Sequence, residues 1–121
     1  MNKSVRWGVC IKKRNKIVGV ISLYNLDEKH KFVSNGSIIK PDFQNNGLMT
    51  EALNAVSNFA FKKLDINRIE AQTFVDNAKS VKYLTKAGFK LEGRLRQNFM
   101  IEKSLRDSYI YSLLKQDFLL F

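Results

Sequence analysis

The sequence predicts an α+β fold of the mixed α/β kind: a central, mostly antiparallel sheet with flanking helices, in the order βββαβαββ. Three observations predict it. Residues 5 to 11 alternate apolar and polar positions, and an apolar run from Ile17 to Tyr24 follows a polar break, which is the pattern of a β-hairpin. From Gly47 to Leu64 the apolar period becomes that of a helix. A strand pattern, a helix pattern and two more strand patterns then follow. The 121 residues include one Pro and six Gly, so no stretch reads as a linker and residues 1–121 are expected to form a single domain.

The elements follow in order. Val5, Trp7, Val9 and Ile11 alternate with Arg6, Gly8, Cys10 and Lys12, and Arg14 and Asn15 break the run before the second strand. Asn25 to His30 is polar and turn-like. Phe32 to Lys40 reads as a third strand, closed by Pro41, which restricts Lys40 to an extended conformation. In the helix after Gly47, Met49, Ala52, Leu53, Val56, Phe59 and Ala60 share one face, with Glu51, Asn54, Ser57, Asn58 and Lys62 opposite. Arg68 to Val75 alternates again, with Ile69, Ala71, Thr73 and Val75 on one side. A second helix starts at Asp76 or Asn77 as N-cap, turns Val81 and Leu84 inward, and ends at Gly88. Phe89 to Leu95 and Ser108 to Leu114 read as the last strands, joined by the polar segment Arg96 to Asp107.

Composition narrows the function classes. Hydrophobic residues make up 45% and charged residues 26%, an ordinary globular balance, and the net charge of +10 attracts phosphates. Lys12, Lys13, Arg14 and Lys16 are typical of its short basic groups, which read as solvated surface. Without zinc-ligand spacing or an aromatic RNA-binding signature, nucleic acid is not expected as a partner except through a ribosomal substrate. Cys10 is the single cysteine, so no intramolecular disulfide forms; within Val9-Cys10-Ile11 it is expected to be a buried small hydrophobe. No apolar run approaches the roughly 20 residues needed to cross a bilayer, so no membrane partner is expected and a cytoplasmic protein is. His30 has no second His or Cys nearby, and no metal is expected.

The chemistry sits in Pro41-Asp42-Phe43-Gln44-Asn45-Asn46-Gly47-Leu48-Met49-Thr50-Glu51-Ala52-Leu53, a polar loop between a strand and a helix. Such a junction aims unpaired N–H groups at one point beside the positive end of the helix dipole, and that point attracts phosphate. Gly47 lets the backbone approach a ligand closely. The segment resembles the CoA pyrophosphate loop of GNAT acyltransferases: Gln or Arg, any two residues, Gly, any residue, then Gly or Ala. Gln44, Gly47 and Thr50-Glu51-Ala52-Leu53 match, whereas Asn45 stands where a Gly is common and Met49 replaces the small final residue. The resemblance continues through Asn67-Arg68-Ile69-Glu70-Ala71, Asn77-Ala78-Lys79-Ser80, Lys86-Ala87-Gly88-Phe89-Lys90-Leu91-Glu92-Gly93 and Asp107-Ser108-Tyr109-Ile110-Tyr111-Ser112-Leu113-Leu114. It points to the ribosomal-protein and polyamine N-acetyltransferase branch and covers essentially the whole chain. Relative to that family, the usual first strand and helix pair are lacking.

The resemblance implies acetyl-CoA as acyl donor and a primary amine as acceptor. It implies strands that splay apart so that main-chain groups of Ile38, Ile39 and Lys40 can bond the pantetheine arm. Gln44, Asn45, Asn46, Gly47, Leu48, Met49 and Thr50 would hold the pyrophosphate, Asn77 would lie near the pantetheine and Ser80 near the sulfur. Ser80 is the candidate proton donor to the leaving thiolate. A general base is harder to find: where the branch carries two Glu residues, this chain has Ser34 and Asn98, leaving Glu92. Tyr83 is expected to pack against the sheet, because the tyrosine acid of other branches falls at Leu84. An α-amine of pKa near 8 is roughly 10% neutral at pH 7, whereas a lysine near 10.4 is neutral in about one molecule in 2,500. A site without a carboxylate base therefore suits a protein N-terminus first and a small-molecule amine second. The alternative is a CoA-binding regulatory or degenerate domain without turnover. An open sheet face and the apolar Phe118-Leu119-Leu120-Phe121 also predict a homodimer.

Overall fold

Alternating and apolar runs become strands of a six-stranded sheet, and the helical period becomes its cover. The computed structural model describes residues 4–11, 16–40 and 47–119. The elements are β1 (Val5–Ile11), β2 (Lys16–Asp27), β3 (Phe32–Ile39), α1 (Leu48–Lys63), β4 (Arg68–Phe74), α2 (Ala78–Lys86), β5 (Lys90–Ile101), β6 (Ser104–Leu114) and α3 (Lys115–Leu119). In space the strands run β1-β2-β3-β4-β6-β5. Every neighbouring pair is antiparallel except β3 and β4, whose parallel pairing spans Phe32↔Arg68 to Asn35↔Ala71.

All three helices lie on one face. Trp7, Ile21 and Ser37 are cross-strand partners on that face, where Trp7 meets Phe59 of α1 edge-on at 5.4 Å and Ser37 meets Tyr83 of α2. Phe118 of α3 packs on Phe61 of α1 at 5.3 Å. Buried Met49, Leu53, Val56 and Ala60 press α1 onto Ile21, Val33, Ile69 and Leu113 of the sheet. Each of these side chains except Ala60 contributes about 1.5–3 kcal/mol on burial. Gly47 caps α1 in the left-handed region at φ 79°, and Gly88 follows α2 at φ 90°.

Three expectations need correction. Arg96 to Asp107 is not a connecting segment: β5 and β6 continue through it as a long hairpin, with Phe99↔Arg106, Met100↔Leu105 and Ile101↔Ser104 paired and Glu102 and Lys103 turning at φ 47° and 66°. Its polar residues reflect an arm exposed on both faces, which period alone does not separate from a loop. A bulge at Gln97 (φ 49°) is fixed by Asp107, which accepts from Gln97 N–H and Arg94 Nε, each at 2.7 Å. Those bonds, the main-chain one first, hold the Asp107 carboxyl below its ordinary pKa. The short α3 has no counterpart in the expected order. Cys10 is exposed, because strand alternation buries Val9 and turns its neighbour outward.

Candidate active site

Beyond Asn35 and Ala71 the two parallel strands part: β3 runs on to Ile39 and β4 to Phe74 without pairing to each other. Each strand leads to the start of a helix, so α1 and α2 both begin at the open end of the gap. A cavity of about 340 Å³ lies there, walled by Asn35, Ser37 and Ile39 of β3, Gly47, Met49 and Thr50 at the α1 start, and Asn77, Ser80 and Tyr83 of α2. A crevice at the carboxyl ends of parallel strands is a recurrent ligand position.

Helical hydrogen bonding in α1 begins with Glu51 N–H donating to the Gly47 carbonyl at 3.0 Å, and no described side chain caps the first turn. The N–H groups of Met49 and Thr50 therefore point out of the helix end beside the positive pole of its dipole. A Cβ at Gly47 would meet no described residue within 4 Å, and the glycine is required by its φ. Met49 is buried, with its sulfur 3.0 Å from where a Cβ on Gly19 would stand. The bulk of Met49 is thus taken up beneath the helix by Gly19.

Lys40 N–H donates to Val18 O of β2 at 2.8 Å. Alternation in the antiparallel ladder then assigns the main-chain groups of Ile38 to β2 as well, and those of Ser37 and Ile39 to the gap. Of the three residues expected to offer free main-chain groups, only Ile39 does, and Ser37 joins it. The Ile38 side chain is 75% exposed on the helix-free face.

On α2, Asn77 is the N-cap: its Oδ1 accepts from Ser80 N–H at 3.2 Å, which fixes Ser80 in the first turn at the cavity wall. Tyr83 does more than pack. Its hydroxyl lies 2.9 Å from Ser37 Oγ across the cavity, and burial pushes its pKa up to about 12, against a smaller opposing effect of the Ser37 bond. The phenol stays protonated at neutral pH. Leu84, where other branches carry a tyrosine, is buried in the core. Lys79, Lys82 and Lys86 line the same wall, and no Asp or Glu is among the described lining residues.

Glu92 is not an available base. It accepts from Arg68 Nη1 at 2.6 Å and from Ser112 Oγ at 2.8 Å, away from the cavity, and these bonds, Arg68's first, hold its pKa below the ordinary value. Asn98 accepts from Ser108 Oγ at 2.8 Å. Gln44, Asn45 and Asn46 lie outside the described residues. Gly47, Met49, Thr50, Asn77 and Ser80 stand together around the gap, Leu48 opens α1 but is not among the described lining residues, and Asn35, Ser37 and Tyr83 are additions to the expected set. A signal for two of them exists in the sequence: Asn35 and Ser37 occupy inward positions between apolar Val33 and Ile39.

Residues 1–90 match the acetyltransferase (GNAT) domain family. The uncharacterized N-acetyltransferase YoaA of Bacillus subtilis is 33% identical over 113 residues, covering 93% of this chain and 64% of that protein. YdaF of the same organism, provisionally named a ribosomal N-acetyltransferase, is 33% identical over 101 residues, covering 84% of this chain and 55% of its own length. A crystal structure of a probable acetyltransferase superposes with TM-score 0.88 at 30% identity over 94% of this chain and 62% of that one. The chain spans less than two thirds of each of these relatives. With the parted strands, the open helix start and these matches in agreement, the chain belongs to the GNAT acetyltransferase domain family.

Proposed function

We propose that this protein is an N-acetyltransferase that moves an acetyl group from acetyl-CoA to a primary amine, with a protein N-terminus the preferred acceptor and a small-molecule amine the second. The observation that carries the reading is the gap between β3 and β4 beyond Asn35 and Ala71, opening in front of the start of α1, which no described side chain caps. The pyrophosphate sits at the N–H groups of Met49 and Thr50, near the lysines of α2. The pantetheine arm lies along the gap, bonded by main-chain groups of Ser37 and Ile39.

The neutral amine attacks the thioester carbonyl, the C–S bond breaks, the thiolate takes a proton and the new ammonium loses one to water. Ser80 donates the proton to sulfur; with no carboxylate among the described lining residues, amine deprotonation falls to solvent, which favours an α-amine over a lysine. The same lack of a carboxylate supports a second reading, a CoA-binding domain without turnover. Self-association belongs to the proposal as well: Tyr24, Ile38 and Phe99 are exposed apolar residues, the first two on the face that no described helix covers.

Calorimetric titration with acetyl-CoA, followed by acetyl transfer to a peptide N-terminus, tests both readings. Binding with transfer is expected, and Ser80→Ala is expected to lower turnover about a hundredfold while changing acetyl-CoA affinity less than threefold. Binding without transfer selects the second reading, and no binding in low salt removes the donor assignment.

A further inference from the structure

Asn35 stands where the sheet divides: it is the last β3 residue paired to β4, and its side chain is on the inward face with Val33 and Ser37. It is only 4% exposed, and its Oδ1 is buried without a hydrogen-bond donor among the described residues. A buried amide oxygen left unbonded costs folding free energy that an apolar side chain of the same size would not. Ser57 Oγ on α1 is likewise buried and unbonded, but it does not line the cavity, whereas Asn35 forms the vertex of the cavity wall on β3.

We propose that Asn35 is a positioning residue for the acyl donor, its Oδ1 accepting from a secondary amide N–H of the pantetheine arm at the closed end of the gap. This inference rests on the acetyl-CoA reading above. The chemistry is complementary. The arm carries two secondary amides, each with an N–H that loses its water on entering the gap, and Asn35 offers a desolvated acceptor. The main-chain groups of Ser37 and Ile39 serve the outer part of the gap, and at the vertex the strands bond each other, so a side chain is the group left to serve the inner end. The fold carries an unsatisfied acceptor that ligand binding satisfies.

The test measures stability and binding together. Acetyl-CoA and adenosine 3′,5′-bisphosphate, which lacks the pantetheine arm, are titrated calorimetrically into wild type, Asn35→Leu and Asn35→Val, and each protein is melted without ligand. The expected result is a melting temperature equal to or above wild type, acetyl-CoA affinity weakened about tenfold, and bisphosphate affinity unchanged. Where Leu does not fold, Val is read in its place. Unfolding of both variants overturns the inference by assigning the amide to the fold. Equal loss of both ligands, or wild-type affinity for acetyl-CoA, overturns it too. Wild type that binds the bisphosphate and acetyl-CoA equally refutes the pantetheine contact, whereas wild type that binds neither refutes the donor assignment itself.

Discussion

The Tyr83 phenol is raised to about 12 by burial, and that makes its contribution to stability depend on pH in a definite direction. Below the ordinary tyrosine pKa near 10 the phenol is neutral in both folded and unfolded chains and its contribution is complete. Above it the unfolded chain ionises first, so stability falls as pH rises toward 12, by roughly 2 kcal/mol from this group. Thermal melts of Tyr83→Phe should therefore descend less steeply than wild type between pH 10 and 12; equal slopes would show that the phenol is not held out of water. Ser80 and Asn77 are legible in the sequence because a helix start is a local pattern and the N-cap bond spans three residues. Tyr83 is not, because its partner Ser37 lies 46 positions away and comes into reach only once β3 has parted from β4.

At the scale of elements, the contact of α1 with the sheet depends on Gly19. A Cβ there would stand 2.7 Å from the Ile38 carbonyl oxygen and 3.0 Å from the Met49 sulfur, so Gly19→Ala must move backbone as well as side chain. The expected cost is about 1–3 kcal/mol in denaturant unfolding. Adding Met49→Ala should recover part of it, since the sulfur can be removed and the carbonyl cannot; a fully additive double mutant would separate the two residues. The first four strands and the two longer helices are legible because each carries its own apolar period and α2 is bounded by Asn77 and Gly88. The long arm of β5 and β6 is not, since with nearly all of β5 exposed it has no buried face to impose an alternation. It is held by the Asp107 bonds and by Phe74 against Phe99 at 5.3 Å, contacts that only the folded chain brings together.

For the whole molecule, one face of the sheet carries every described helix, while the other presents Tyr24 and Ile38 to solvent in a chain of net charge +10. Apolar exposure favours pairing of two copies and like charge opposes it, so the proposed dimer should strengthen as salt screens the repulsion. Sedimentation equilibrium at micromolar protein is expected to show monomer giving way to dimer between low and physiological salt; monomer throughout would remove self-association from the proposal. The parted strands have a mechanical meaning too. Within the sheet, the β1–β3 meander is joined to the β4-β6-β5 half by the four register pairs from Phe32↔Arg68 to Asn35↔Ala71, and every other seam is longer. The sheet is therefore two halves sharing a short seam, open over half the length of β3 and spanned on one face by α1. In the proposed complex a ligand strung along that opening takes the place of the missing rungs of the ladder and adds a second tie between halves that α1 already bridges.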